Sequence, residues 1–431
     1  MIRLESKNGG KKLLHCLWLV CLFLYSCKST KHVPEGQYLL RSNTLKIKSD
    51  KTITNKGVLE DQLNILVLQK PNTYWSGVFP FKLWRFNARF AKYGSTPQTD
   101  LPKSIERPVL HDSALERRTA ANMKSFLVNQ GYFNAQVTDT VRYKKKKAYA
   151  VYGIVTGLNY LVDTVFVDAD NPTIGGIIRS NMGQTLFKKE KQYTKTLADE
   201  ERTRIITLLQ NHGYYKFSQD NVAFELDTVS KEKFRDAENL FESAINFLTL
   251  QRRQKKLSLD VKIIIRTDDS TVYQPYRIGR MVVFPDFIDR SVAYDSNMIV
   301  RRVDSITYRY YKYYVREQVL DRQIFVHPGE LYSRSNHELT INKLNELGIF
   351  QMVNIYFVED TAHKGANILN CFITLNPTKR SEAGASYEVA SATTYWLGNS
   401  IGLSYRDRNF FRGANLFSIM AMGGIESGYN K

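Results

Sequence analysis

The feature that most constrains this chain is a pattern that occurs three times. An amphipathic helix is followed by a glycine, then by two aromatic or apolar residues, and then by strand-forming residues. The three glycines are Gly131, Gly213 and Gly348. Glycine suits the left-handed residue with which many helices end, and the pair after it would anchor the next strand in a core. Three copies predict three small α+β domains in tandem.

The spacing of apolar residues predicts the elements of each copy. Helices are expected before the three glycines, at 115–130, 198–212 and 335–347. Strands are expected after them, at 148–156, 257–266, 353–358 and 368–375, the last two as a pair. A further helix is predicted at 58–68, and the charged stretch 230–256 is predicted to be a helical insertion.

Residues 69–87 mix Trp and Phe with Lys and Arg. We interpret this insertion as a capping helix packed on its own domain, with contact to a membrane surface as the alternative. Residues 28–33 are predicted to form a short polar tether.

The N-terminus is typical of an exported protein. Four basic residues lie within the first twelve, and the apolar run 13–25 follows. That run is shorter than the roughly 20 residues of a membrane-spanning helix, which favours a secretory signal peptide. It ends at Leu24-Tyr25-Ser26-Cys27, which resembles a bacterial lipobox. We therefore expect lipidation at Cys27, the alternative being an ordinary buried cysteine.

The other cysteines and the charge agree with export. Cys16 and Cys21 would leave with the signal peptide, so Cys371 would be alone and no intramolecular disulfide is expected. The formal net charge of +19 fits nucleic acid, an anionic membrane surface or a solvated face. An exported lipoprotein does not meet the chromosome, which disfavours nucleic acid.

Enzyme motifs are not found. The seven histidines lack metal-ligand spacing, and His111-Asp112 is an isolated pair expected at the surface. We therefore predict no catalytic residue, metal or cofactor. The run 308–316 interleaves aromatic and basic residues. Such a run is typical of a stacking platform for a polyanion, and equally of a half-exposed strand.

The sequence changes character after Thr378. A strand of small residues is predicted at 382–392, an alternating strand at 400–405, a polar turn at 406–409 and an apolar strand at 416–422. Alternation with aromatic residues and polar turns is typical of a transmembrane β-barrel. A small soluble β-meander is the alternative.

These residues resemble a known superfamily. The tandem units are similar to polypeptide-transport-associated (POTRA) domains. The run 325–332 resembles the turn that opens the first helix of the barrel-proximal one, and 344–353 resembles its second helix and the exit from it. Residues 401–414 resemble the first barrel hairpin of BamA/TamA-type outer-membrane assembly proteins. The lipobox, the opening 34–40 and the insertion 70–87 resemble the lipidated TamA-like (TamL) branch of Bacteroidetes.

The resemblance implies a domain organisation. Residues 1–26 would be the lipoprotein signal peptide, and 27–156 (with its insertion), 157–268 and 269–378 would be α+β POTRA-like domains. Residues 379–431 would begin an antiparallel transmembrane β-barrel. They hold three strands at most, and an open sheet edge does not sit in lipid, so we expect a C-terminally truncated barrel.

The resemblance also implies a function: insertion, assembly or translocation of outer-membrane β-barrel proteins. Client strands would bind by β-augmentation at POTRA edges and at the barrel seam, where Glu382, Gly384, Ser386 and Glu388 are the candidate residues. The small residues of that strand fit a lumen-facing strand equally well.

Unfolded outer-membrane proteins, a TamB-like periplasmic protein and membrane lipids are the expected partners, with no nucleic acid. The chain would be anchored at the outer membrane, with its POTRA-like domains in the periplasm. Two alternatives remain: a two-partner-secretion transporter for one client, and a periplasmic lipoprotein that binds polyanions or lipids.

Overall fold

The computed structural model describes residues 29–48, 56–77, 79–228, 257–267, 273–287, 297–362, 366–391 and 395–428. The predicted signal peptide, Cys27 and the insertion 230–256 lie outside these residues. The described chain forms two compact units. One contains the described parts of Met1–Thr164, Phe187–Ala198 and Leu226–Asp260; the other contains Val165–Leu186, Asp199–Glu225 and the described residues from Val261 onward.

The fold is α+β. The helices are α1 (Lys56–Ile65), α2 (Phe81–Ala88), α3 (Phe90–Tyr93), α4 (Ser113–Asn129), α5 (Pro172–Ser180), α6 (Lys195–Asn211), α7 (Glu317–Asp321) and α8 (Arg334–Glu346). The strands are β1 (Leu39–Lys48), β2 (Gln136–Lys144), β3 (Lys147–Val155), β4 (Tyr160–Ala169), β5 (Val222–Asp227), β6 (Leu257–Ile265), β7 (Arg277–Phe284), β8 (Ile299–Val303), β9 (Ile306–Tyr310), β10 (Phe350–Glu359), β11 (Ile368–Pro377), β12 (Ser381–Ala390), β13 (Tyr395–Phe410) and β14 (Asn415–Gly428).

Three of the four sheets follow one plan. Sheet A has the order β1-β3-β2, sheet B the order β4-β6-β5, and sheet C the order β10-β11-β7-β9-β8. In each, a first strand is followed by helices and then by two strands, the last of which lies beside the first. In sheets A and C that last strand is parallel to the first and antiparallel to the one before it. Sheet C adds the hairpin β8–β9 at the side of β7.

The predicted glycines lie at the predicted backbone positions. Gly131, Gly213 and Gly348 have φ angles of +83°, +93° and +65°, and each follows the end of α4, α6 or α8 by one or two residues. The residue after each glycine is buried. The prediction of left-handed helix ends followed by core anchors is therefore confirmed.

Helices cover one face of each of these sheets. Met123 and Leu127 of α4 pack with Tyr152 and Ile154 of β3. Ile205 and Leu209 of α6 pack with Ile263 and Ile265 of β6, and Leu344 of α8 packs under β10 and β11. The ends of the helices are set by local residues: Asp112 accepts hydrogen bonds from the amides of Ala114 and Leu115 at the start of α4, as an N-cap does.

The insertion forms the predicted capping helix. Leu83 and Phe86 of α2 are buried in a cluster with Val33, Leu39, Leu101 and Ile105. The predicted tether at 28–33 is wrong for its described residues, because Ser29 and Val33 are buried against this part of the fold. The helix predicted at 58–68 is α1 and ends three residues earlier. None of the described helices combines the length and apolarity that a membrane span requires.

The predicted polar turn at 406–409 is also wrong. Strand β13 continues to Phe410, and the chain turns at 411–414. Phe411, Arg412 and Ala414 have positive φ angles there. Asp407 and Asn409 are buried inside the strand end, where their side chains have hydrogen-bond partners. The polar side chains at 406–409 predicted a solvated loop, but Asp407 and Asn409 form internal hydrogen bonds instead.

Candidate functional site: the open sheet edges

Sheet D consists of β12, β13 and β14, all antiparallel, with β13 in the middle. In the described part of the chain, β12 pairs with β13 only, so its other edge has no strand beside it. An edge strand exposes a row of backbone donors and acceptors that can pair with another chain. The outer edge of β12 is therefore the first candidate site.

The two faces of sheet D differ in chemistry. The register places Tyr387 opposite Ile401, and Ala385 opposite Leu403. Ile401 and Leu403 in turn lie opposite Gly423 and Ala421 of β14. The large side chains of this face are exposed: Tyr387, Val389, Ile401, Leu403, Tyr405, Ile419 and Ile425.

The opposite face is polar or small along β12 and β13, but Met420 and Met422 of β14 are also exposed on it, opposite Ser404 and Gly402. Gly384 lies opposite Ser404, and Ser386 lies opposite Gly402. A Cβ atom on Gly384 would be 2.9 Å from Oγ of Ser404, and one on Gly402 would be 2.7 Å from Oγ of Ser386. A side chain at either glycine would therefore make the facing serine hydroxyl rotate away.

The four residues predicted at the seam share this polar face. Glu382, Gly384, Ser386 and Glu388 are alternate residues of β12, so their side chains point the same way. The carboxylate of Glu382 accepts a hydrogen bond from Nη2 of Arg408 at 2.9 Å. The structure brings the four together as one row along the open edge; their part in client binding stays a prediction.

The turn of the β13–β14 hairpin is held by residues that sequence reasoning missed. Nδ2 of Asn409 donates to the carbonyl of Tyr314 at 2.7 Å, and its Oδ1 accepts from the amide of Ala414 at 3.0 Å. The guanidinium of Arg412 lies 4.9 Å from the ring centre of Tyr313. These contacts join sheet D to the segment that precedes α7. An asparagine in a polar run gives no sequence signal of such a role.

Sheet C has a different arrangement of edges. Strand β9 pairs with β7, so the hairpin β8–β9 occupies the side of β7, and β10 and β8 are the outer strands. On β10, Met352 and Val358 are exposed. Of the two outer strands, β10 is the longer, with ten residues against five.

The first two tyrosines of the aromatic run at 308–316 are not available for stacking on a ligand. Tyr308 and Tyr310 alternate with Thr307 and Arg309 on β9, and both rings are buried in the core. Burial first, and then a hydrogen bond to Glu317, raises the pKa of Tyr310 to about 12. The interpretation as a half-exposed strand fits this arrangement.

The isolated His111-Asp112 pair has structural roles. Asp112 caps α4, and Nε2 of His111 lies 2.8 Å from Oε2 of Glu116, with both side chains buried. The expectation of a surface pair is wrong for His111, because its side chain is buried in contact with Glu116. Among the residues that the structure describes, no three metal-binding side chains lie close enough together to hold an ion.

Comparisons with known proteins give distant structural matches. No protein-family model and no curated protein matches the sequence. Among solved structures, POTRA domains 3–5 of BamA from Haemophilus influenzae are 12% identical, with 80% of this chain and 99% of that chain covered and a TM-score of 0.35.

Two barrel-containing structures also match. BamA from Haemophilus ducreyi lacking POTRA domains 1–3 is 13% identical, covers 62% of this chain and has a TM-score of 0.35. CdiB from Acinetobacter baumannii is 8% identical, covers 62% and has a TM-score of 0.27. The matches span 37% and 39% of those two chains. At these TM-scores the likenesses carry no weight for function.

Proposed function

We propose that this protein assembles or translocates outer-membrane proteins by accepting an extended client segment at an open sheet edge. The observation that carries the proposal is sheet D, which in the described chain combines one apolar face, an opposite face that is polar or small along β12 and β13, and an unpaired outer edge on β12. A β-strand extends by about 3.3 Å for each residue. The 10, 16 and 14 residues of β12, β13 and β14 are long enough for a membrane strand of about 9–11 residues.

The two faces then have distinct environments. The apolar face, with Ile401 and Leu403, suits hydrocarbon, and the β12–β13 part of the opposite face, with Ser386 and Ser404, suits a watery lumen. A backbone edge in hydrocarbon must find hydrogen-bond partners. A client strand added to β12 supplies them, so recognition needs main-chain pairing and no catalytic residue.

The residues of β12 have separate parts in this proposal. Small side chains at Gly384 and Ser386 let a client backbone approach, while Glu382 and Glu388 face the lumen beside it. The outer strands β2 and β10 of the helix-covered sheets offer further edges for the same client. The client class is the unfolded outer-membrane β-barrel protein, whose strands alternate apolar and polar residues in the same way.

The finer assignment follows from the sequence. We place the protein in the lipidated TamA-like branch, anchored at the outer membrane through Cys27, with its helix-covered sheets in the periplasm and a TamB-like protein as partner. A two-partner-secretion transporter would use the same edge for one dedicated client. Burial of Tyr308 and Tyr310 argues against the polyanion-binding alternative.

Disulfide crosslinking to a client peptide tests the strand addition. The peptide is a barrel strand with one cysteine at successive positions, and the protein is the full chain in detergent with its own cysteines replaced. Ser386→Cys and Ala385→Cys are the matched probes, because they are neighbours on opposite faces of β12. Directly opposed residues of paired strands have Cβ atoms about 4.5–5.5 Å apart.

A paired strand gives crosslinks with a period of two. Ser386→Cys should react with every second peptide position, and Ala385→Cys should react with the positions in between. N-methylation of alternate peptide amides should abolish crosslinking for one set only, since only that set faces β12. Equal crosslinking at all positions, or none at either probe, would show that β12 does not accept a strand.

A further inference from the structure

Helix α2 has an outer face that its own fold leaves uncovered. Helical geometry puts Phe81, Trp84 and Arg85 on the side opposite Leu83 and Phe86. Leu83 and Phe86 are 0% and 1% exposed, whereas Phe81 and Trp84 are 45% and 36% exposed. The two outer rings stack on each other, with centroids 5.8 Å apart. The helix is therefore fixed by one face while it presents an aromatic pair on the other.

A tight hairpin places another ring beside this sequence segment. The amide of Trp75 donates to the carbonyl of Phe79 at 2.8 Å, and the amide of Phe79 donates back at 3.2 Å. Ser76 and Gly77 turn the chain with positive φ angles. Nη2 of Arg41 donates to the carbonyl of Gly77 at 2.8 Å. Trp75 is nevertheless 75% exposed, so an ordered turn displays a large ring to solvent.

The charge of this segment has one sign. Residues 70–92 contain five basic residues and no Asp or Glu: Lys70, Lys82, Arg85, Arg89 and Lys92. Lys82 is bonded to Glu106 from outside the segment, with 3.0 Å between Nζ and Oε1. Exposed Trp and Phe among cations are typical of the interface between lipid headgroups and acyl chains. Anionic headgroups add attraction of about fivefold in affinity for each nearby cation.

The start of the described chain lies against α2 and α3. Nδ2 of Asn87 donates to the carbonyl of Ser29 at 3.5 Å, and the ring of His32 stacks on that of Phe90 with centroids 3.8 Å apart. Cys27, the predicted lipidation site, is two residues before Ser29 in the sequence and lies outside the described residues.

We propose that Trp75, Phe81, Trp84, Arg85 and Arg89 form a membrane patch that docks on the surface of an anionic phospholipid bilayer. The rings lie at the level of the headgroups, and the two arginines bind lipid phosphates. This inference is independent of strand addition at β12, because it concerns a different surface. It gives the predicted lipid anchor a second membrane contact.

Tryptophan quenching by brominated lipids tests the patch in the full chain. The four tryptophans are Trp18, Trp75, Trp84 and Trp396. Replacement of Trp18 and Trp396 by Phe leaves the two patch tryptophans as the only reporters. The protein in dilute detergent is added to vesicles of phosphatidylcholine with or without 30% phosphatidylglycerol, with bromine near the headgroup end of the acyl chains.

Quenching and a blue shift should appear with the anionic vesicles and weaken at high salt. Arg85→Gln with Arg89→Gln should raise the lipid concentration for half-maximal quenching by about 25-fold, two fivefold steps. Lys145→Gln with Lys146→Gln removes the same charge from the exposed turn between β2 and β3. This control pair should change the lipid concentration for half-maximal quenching by no more than about twofold. Circular dichroism checks that each variant is folded.

Two results would overturn the proposal. One is emission that bromine does not quench on anionic vesicles, including emission that shifts to the blue with protein concentration alone, which means that a second copy covers the patch. The other is quenching that both pairs of substitutions change equally, which means that the patch arginines contribute no more to vesicle binding than Lys145 and Lys146 do.

Discussion

The three helix-ending glycines allow a graded test of the repeat. All three have positive φ, so alanine at any of them introduces left-handed strain of about 1–2 kcal/mol. They differ in what a new Cβ atom would meet. At Gly348 no heavy atom lies within 4 Å, at Gly213 the nearest is Cβ of Pro275 at 3.0 Å, and at Gly131 the nearest is the carbonyl oxygen of Tyr193 at 2.2 Å.

At Gly131 the close contact adds to the left-handed backbone strain, so alanine is more destabilising there than the strain alone would make it. An ordinary van der Waals contact begins near 3.4 Å, so the Tyr193 backbone must move by about 1 Å. That backbone is held: Tyr160 donates to the carbonyl of Gly131 at 3.0 Å, and Tyr193 donates to that of Tyr160 at 3.0 Å. Overpacking of this kind costs about 1–3 kcal/mol. The free energy of unfolding should fall by about 1–2 kcal/mol for Gly348→Ala and about 2–5 kcal/mol for Gly131→Ala.

Hydrogen exchange followed by mass spectrometry separates these effects in the full chain, because each glycine follows a different helix. Exchange in α8 should accelerate by about 5- to 30-fold in Gly348→Ala, whereas exchange in α4 should accelerate by 30-fold or more in Gly131→Ala. Gly213→Ala should lie between them in α6. Equal destabilisation of α8 by Gly348→Ala and of α4 by Gly131→Ala would contradict this prediction.

Three further changes have defined outcomes. Asn409→Ala removes two buried hydrogen bonds, about 2–4 kcal/mol, and should expose the amide of Ala414 to exchange while α8 keeps its protection. Glu201→Ala leaves Arg204 without its two-bond partner, and should lower the urea midpoint by an amount equivalent to about 3–5 kcal/mol. Burial lowers the pKa of His337, so stability should fall as the pH drops below 6.5, and His337→Gln should flatten that pH dependence.

Local features of the fold could be predicted because local physics determines them. Gly348 is identified by the end of an apolar helical pattern, and its positive φ follows from the geometry of helix ends. The pairing of β10 with β11 follows from two adjacent β-rich runs. In sheet D, the alternation of Ile401 and Leu403 with Gly402 and Ser404 indicates two different faces before any register is known.

Long-range contacts could not be predicted. Strand β9 pairs with β7 after the chain returns to that side of sheet C. The sequence of its five residues does not indicate which strand they pair with. Asn409 is in a run of charged residues that predicts a turn, yet it is buried because the carbonyl of Tyr314, remote in sequence, needs a donor. Polarity alone does not distinguish a solvated residue from a buried, hydrogen-bonded one.

Sheet D differs from the other sheets in what covers it, and this difference bears on the two interpretations of its sequence. Sheets A, B and C each bury one face under helices, whereas Ile401, Leu403, Ile419 and Ile425 on sheet D are all more than half exposed. Each such side chain would gain about 1–2 kcal/mol on leaving water, about 4–8 kcal/mol for the four. That sum is comparable with the whole stability of a small domain, about 5–15 kcal/mol. A soluble β-meander would have to bury this face against something, so a lipid environment for the face, with added strands at its edges, accounts better for the same residues.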